Sequence, residues 1–208
     1  MYLADGSLAI GVVDVGANIG IYSLYSASVN KTIPVFAVEP VPATFIELNA
    51  NIKLNLKMDQ IYTFEVALSS ESGTGHLTNV DPRLGSSGAQ IEVDVIGDDA
   101  NTVILNGDSL LVSEQKKFDQ NKKVMIKIDT DGNELDVLKG FLGSFEAGLI
   151  ATVVVETHPS NRNEIEAFFS ELNFWEDESY LKLDGHSNHR REAKGNKERT
   201  KVYVCPVV

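Results

Sequence analysis

Residues 10–20 read Ile-Gly-Val-Val-Asp-Val-Gly-Ala-Asn-Ile-Gly. The β-branched run at 10–15 has the composition of a short buried strand, and it stops at a loop bounded by Gly16 and Gly20. From 19 to 29 apolar residues recur at helical spacing. A strand, a glycine-bounded turn and a helix in that order let backbone approach a ligand closely. The helix start that follows favours a carboxylate or phosphate group.

The pattern repeats outward from this unit. Residues 34–39 (Pro-Val-Phe-Ala-Val-Glu) give a second strand signal, Pro40 and Pro42 break it, and 43–54 carry Phe45, Leu48 and Ile52 at helical intervals. Residues 61–68 predict a third strand. Residues 69–108 are rich in Gly, Ser, Asn and Asp with weak alternation around 90–96, which predicts loops and a peripheral hairpin. Residues 123–129 (Lys-Val-Met-Ile-Lys-Ile-Asp) are nearly continuous in apolar character, as in a strand covered on both faces, and 134–142 are helical with Gly140 near the end. Residues 150–156 predict another such strand, and 163–172 place Ile165, Phe168, Phe169 and Leu172 on one helical face. Strands at 180–183 and 201–205 close the chain as a hairpin, with the hydrophilic stretch 185–200 as the loop between them.

Strands alternating with helices predict an α/β fold: an open, mainly parallel sheet with helices on both faces. Ligands of such sheets sit beyond the C-terminal strand ends, at the switch point. Asp14, Glu39, Asp129 and Glu156 all fall at those ends. No internal repeat, low-complexity tract or linker divides residues 1–208, so one domain is expected.

The glycine loop discriminates between ligand classes. A nicotinamide site needs a middle glycine in G-x-G-x-x-G so that the pyrophosphate can pack on the backbone, whereas this loop reads Gly16-Ala17-Asn18-Ile19-Gly20. Asp14 would repel a pyrophosphate but could hold the ammonium of a methionyl group, directly or through water. Both features favour S-adenosylmethionine. Glu39 stands where a carboxylate takes ribose hydroxyls, which suits either cofactor.

Taken with Val38-Glu-Pro-Val-Pro-Ala-Thr-Phe45, Val66-Ala-Leu-Ser69 and Met125-Ile-Lys-Ile-Asp-Thr-Asp-Gly-Asn-Glu-Leu-Asp-Val-Leu-Lys-Gly140, the loop resembles the FkbM family of methyltransferases over roughly residues 10–158. The run at 127–134 is its most specific part, since simple strand–helix physics does not require that order. The resemblance implies a Rossmann-like class I methyltransferase fold with seven strands in the order 3-2-1-4-5-7-6, the seventh antiparallel, and O-methylation of a hydroxyl with S-adenosylmethionine as cofactor. Carried over residue by residue, it implies that Asp14, Gly16, Asn18 and Gly20 surround the methionyl part. Glu39 would take the ribose, the adjoining Pro40 would also border the cofactor, and Ala67, Leu68 and Ser69 would lie near the adenine. The chain reaches its first strand almost at once and 69–108 match no family motif, so an N-terminal substrate-binding cap is expected to be absent or supplied elsewhere.

Methyl transfer is an in-line displacement, so alignment of acceptor and methyl can supply up to roughly 7–11 kcal/mol and a dedicated base is optional. For a sugar or alkyl hydroxyl, proton removal adds about 10²–10⁴-fold. Asp129, at the fourth strand's end, could touch the methionyl group of the cofactor, the acceptor, or both, and it and His158, in Glu156-Thr-His-Pro159, are the candidates for that task; a carboxylate accepting loop amides and a surface histidine are the ordinary alternatives. Glu156 could take the proton or pair with Lys127, whose charge in an apolar strand needs a partner. Asp131-Gly-Asn-Glu134 reads as an N-cap with Glu at the third helical position. His186, His189, Arg190, Arg191, Lys194, Lys197 and Arg199 make a basic island that could draw in an anionic acceptor.

A net charge of −12 opposes binding to nucleic acid or anionic membranes and favours a small-molecule or sugar partner. A single cysteine and four scattered histidines give neither a disulfide framework nor metal-ligand spacing. The sequence shows no membrane-length apolar run and no secretory leader, which predicts a cytoplasmic protein. Two rival functions stay open on sequence: a non-catalytic binding module that kept the cofactor fold, and a nicotinamide-dependent oxidoreductase.

Overall fold

The computed structural model describes residues 11–81, 88–93, 100–117, 123–177 and 199–205. Its main sheet is built from β1 (Gly11–Val15), β2 (Val35–Val38), β3 (Ile61–Phe64), β8 (Val124–Ile128), β9 (Ile150–Thr157), β10 (Trp175–Glu176) and β11 (Arg199–Val204). β1, β2 and β8 are buried along their whole length, as their unbroken β-branched and apolar runs require. The order is β3-β2-β1-β8-β9-β11-β10, with β11 antiparallel to both of its neighbours. This is the expected 3-2-1-4-5-7-6 arrangement, and the two-residue β10 holds the sixth place. The strand expected at 180–183 and the basic residues between 185 and 198 lie outside the described residues.

Alternate side chains of each strand go to opposite faces, and each face has its own helical layer. Val12, Val35 and Ala37 pack with Ala27, Leu48 and Ile52 of α1 (Ile21–Val29) and α2 (Pro42–Leu54). Val13, Val15, Phe36, Ile126 and Val153 pack with Leu110 of α3 (Gly107–Ser113), Leu138 of α4 (Glu134–Lys139), Phe145 of α5 (Leu142–Glu146) and Ile165 and Phe169 of α6 (Arg162–Glu171).

Three expectations are corrected. Residues 61–68 are two strands: β3 ends at Phe64, and β4 (Ala67–Ser69) leaves the main sheet to pair in parallel with β7 (Thr102–Asn106). Residues 69–108, expected to be loops and a peripheral hairpin, do hold an antiparallel pair, β5 (Gly73–Thr78) with β6 (Gln90–Val93), but together with β7 they supply three strands of a four-stranded sheet of order β4-β7-β5-β6. At Gly75 a Cβ would lie 2.7 Å from both the Glu92 carbonyl and Ile104 Cδ1, so this glycine marks close strand packing where a turn was expected. The helix expected at 134–142 ends at Lys139, with a second helix from Leu142, and Gly140 between them leaves room for the Ser69 carbonyl, which a Cβ there would meet at 2.2 Å.

Candidate active site

The C-terminal ends of β1, β2, β8 and β9 and the start of β4 meet at one edge. The turn after β1 is tied down by Gly16 and Ala17, whose amides both donate to the Val38 carbonyl (3.0 and 2.9 Å). Gly16 adopts a left-handed φ of 72°, and a Cβ there would lie 1.9 Å from the Asp129 carbonyl oxygen. Gly20 (φ 93°) caps α1, and its Cβ would lie 2.6 Å from Leu48 Cδ1. Both glycines are thus demanded by the protein's own packing, the first between strand ends and the second between helices.

Asn18 takes φ 51° and donates its amide to Glu39 Oε2 (2.9 Å), while Glu39 Oε1 accepts from the Val41 amide (3.0 Å). Glu39 is 6% exposed, and burial pushes its carboxyl above the usual carboxylate range, against the pull of those two amides and the attraction of Lys127. One carboxylate therefore shapes the turn and faces the cleft beside it.

Lys127 organises the centre. Its Nζ donates to the Gly16 carbonyl (3.1 Å), stands 3.4 Å from Asp14 Oδ1 and 3.3 Å from Asp129 Oδ2, and lies 4.9 Å from the Tyr22 ring centroid. The expected pairing with Glu156 is thus replaced. Lys127 and Val154 are level in adjacent parallel strands, and the lysine reaches across β1 instead. Asp14 is 1% exposed and is engaged by Lys127 and by the Ser23 hydroxyl (2.6 Å). Its carboxylate lies under the turn, where Oδ1, beside the Lys127 ammonium, accepts no hydrogen bond from the described residues. Replacing Lys127 by methionine would strand Asp14 as a buried charge and is expected to cost about 3–5 kcal/mol. Urea denaturation should show most of that loss recovered when Asp14→Asn is added.

Two clefts adjoin at this edge. The first, about 570 Å³ with its open mouth, is lined by Gly16, Asn18, Glu39, Pro40, Ala67, Leu68 and Asp129 among the expected residues. Sequence reasoning missed Val41, Val66, Thr130, Asp131 and the Gly88–Ala89–Ile91 wall. Gly20, Asp14 and Ser69 lie behind it, and Ser69 is buried beneath Gly140. The second cleft is lined by Asp129, Glu156 and His158, together with Asp131, Gly132, Glu134, Ser160, Gly88 and Gln90. The three acid–base candidates therefore share one cavity, which meets the first at Gly88, Asp129 and Asp131. Asp131 also accepts the Gly88 amide on Oδ2 (2.6 Å), fastening the smaller sheet over the junction.

A model of the methyltransferase FkbM domain matches residues 14–182. The chain belongs to the FkbM methyltransferase family. It is 29% identical over 194 residues to the methyltransferase sdnD of Sordaria araneosa, covering 78% of this chain and 73% of that protein. It is 31% identical over 146 residues to the hexuronic acid methyltransferase AglP of Haloferax volcanii, covering 70% of this chain and 54% of that one. The chain thus spans about half the length of AglP. Among solved structures, a putative tRNA (m1A22) methyltransferase of Streptococcus pneumoniae, Sp1610, superposes with a TM-score of 0.52 at 10% identity, over 96% of this chain and 65% of that one. That likeness speaks for the Rossmann-like fold alone.

The family's acidic run after β8 is partly structural. Asp131 (φ 55°) and Gly132 (φ 120°) carry the chain into α4, which begins at Glu134 itself with Asn133 at the N-cap. The expected cap by Asp131 is corrected, since Glu134 folds back and its Oε1 accepts from the Thr130 amide, the Thr130 hydroxyl and the Gly132 amide at 2.8–3.2 Å. Among the described residues no helix is long and apolar enough to cross a membrane.

Proposed function

We propose that this FkbM methyltransferase moves a methyl group from S-adenosylmethionine to a hydroxyl of a sugar or other small molecule. The observation that carries the reading is the pair of clefts meeting at Asp129. One has the donors and apolar wall a nucleoside needs, and the other holds the acid–base groups an acceptor needs. Glu39 offers the remaining lone pairs of its carboxylate to ribose hydroxyls, Ala67 and Leu68 give an apolar wall for a purine, and Asn18 and Gly16 border the methionyl end. When bound, S-adenosylmethionine supplies an electrophilic methyl on a sulfonium.

The chain's own residues do the remaining work. Asp129, held by Lys127 at the junction, orients the acceptor hydroxyl toward the first cleft. His158 stands at the rim of the second cleft with Nδ1 2.7 Å from the Ser160 hydroxyl. The Ser160 amide donates to the same Nδ1 (3.3 Å), so Nδ1 is the basic nitrogen; the Ser160 hydroxyl donates to it and takes the acceptor's proton in turn. The likeness to a hexuronic acid methyltransferase supports a sugar as acceptor.

The test is transfer of isotope-labelled methyl from S-adenosylmethionine to a panel of sugars, polyols, lipids and peptides. A labelled sugar or small-molecule ether is expected, and His158→Ala should lower kcat by about 10²–10⁴-fold while leaving cofactor affinity unchanged. Label that stays on the cofactor across the whole panel, with the cofactor bound, would contradict the proposal and favour a binding module.

A further inference from the structure

We propose that Glu134 and Asn161 are positioning residues that hold the two walls of the acceptor cleft at a fixed separation, an inference that rests on reading the second cleft as the acceptor site. The walls come from separate loops. Asp129, Asp131 and Gly132 follow β8, whereas His158 and Ser160 follow β9. Glu134 is 3% exposed and spends Oε1 on the first loop, through the Thr130 and Gly132 amides and the Thr130 hydroxyl. Its Oε2 accepts from Asn161 Nδ2 at 2.7 Å, a buried hydrogen bond that crosses 27 residues.

Asn161, 9% exposed, passes the connection on. Its Oδ1 accepts the His158 amide at 2.9 Å, and its own amide and that of Arg162 donate to the His158 carbonyl (3.1 and 3.0 Å). The Asn161 side chain is therefore used at both ends and in one orientation: its nitrogen must face the carboxylate and its oxygen the His158 N–H. Capping α4 requires no such bond, because the loop amides already occupy Oε1. What the bond adds is a rigid tie between the strand end that carries Asp129 and the turn that carries His158.

A tie of this kind acts on rate through alignment, and a displacement of about 1 Å at a transfer site can cost on the order of 10²-fold. Glu134→Gln alone would set two amide groups donor against donor, and Asn161→Asp alone would set two carboxylates face to face. The two together restore the match. The new amide at 134 donates to the new carboxylate at 161, whose other oxygen still accepts the His158 N–H, and the carbonyl retained at 134 still serves Thr130 and Gly132.

The experiment compares the three variants with the unsubstituted chain at a temperature well below every melting midpoint. Each single substitution is expected to lower kcat/KM for the acceptor found in the labelled-methyl panel by on the order of 10²-fold, with S-adenosylhomocysteine affinity within about threefold, and the double variant should recover to within about fivefold. Amide hydrogen exchange at Gly132 and His158, measured on the free chain, needs neither ligand. It should accelerate by about tenfold or more in each single variant and return in the double. It therefore tests the tie even if no acceptor is methylated, which would count against the proposed function alone. Exchange unaltered in the singles, a double variant as impaired as the two losses added, or lowered melting midpoints with unchanged kcat/KM would overturn the proposal.

Discussion

Glu39→Gln is expected to weaken S-adenosylhomocysteine binding by on the order of 100-fold. Both carboxylate oxygens already accept backbone amides, from Asn18 and Val41, in a site 6% exposed to solvent. Glutamine keeps one acceptor and turns an amide group against the other N–H, which disturbs the turn and leaves one acceptor fewer for the ribose hydroxyls. Hydrogen bonds to charged groups contribute about 1.5–3 kcal/mol each, so losing the better part of two amounts to about 3 kcal/mol. At about 1.4 kcal/mol per tenfold, that gives the two orders of magnitude. The same carboxyl gives affinity a pH dependence. Burial holds its pKa above the usual carboxylate range, so as pH falls Glu39 takes up its proton earlier than an exposed glutamate would and loses acceptor capacity. Calorimetric titrations between pH 8 and about pH 5 should show affinity falling on the acid side in the unsubstituted chain, and a flatter profile in Glu39→Gln.

Gly16→Ala is expected to be the most damaging addition of a single methyl among the described glycines. The new Cβ would lie 1.9 Å from the Asp129 carbonyl at a φ of 72°. The two strand ends cannot ease apart freely, because the Gly16 amide is bound to Val38 and the Asp129 amide to Val15 (3.0 and 3.1 Å). Left-handed backbone costs a residue with a side chain roughly 1–2 kcal/mol, and forced overpacking a further 1–3, so a loss of about 3–5 kcal/mol is expected. Gly148→Ala provides the contrast. Its φ is 68°, but nothing lies within 4 Å of the added carbon, so it should lose only the conformational part, about 1–2 kcal/mol. Urea midpoints of the two variants separate clash from strain, and equal losses would show that the β1–β8 junction yields.

What the sequence made legible follows from which forces leave a local pattern. Strands buried on both faces must be apolar throughout, so β1, β2, β8 and β9 stood out, and the strand ends that carry Asp14, Glu39, Asp129 and Glu156 stood out with them. β5, β6 and β7 did not. They are short and partly exposed, and Gly75 sits in them because strands crowd there, a contact that only tertiary structure reveals. Pairing of charges was illegible for a similar reason. Position showed that Lys127 needs a partner, but its choice of Asp14 and Asp129 over Glu156 depends on which way the side chain crosses the sheet. Asp14 was legible as important, but its engagement by Lys127 and Ser23 beneath the turn is invisible to motif spacing. The tie between Glu134 and Asn161 joins residues far apart in sequence and leaves no periodic trace.

The central claim is that the β1 turn and Glu39 hold a methionyl nucleoside. Isothermal titration of the chain with S-adenosylmethionine, S-adenosylhomocysteine and NAD tests it directly. Saturable binding of the two methionyl nucleosides, weakened on the order of 100-fold in Glu39→Gln, with no measurable heat from NAD, is the predicted result. Tight NAD binding without binding of either methionyl nucleoside would contradict it.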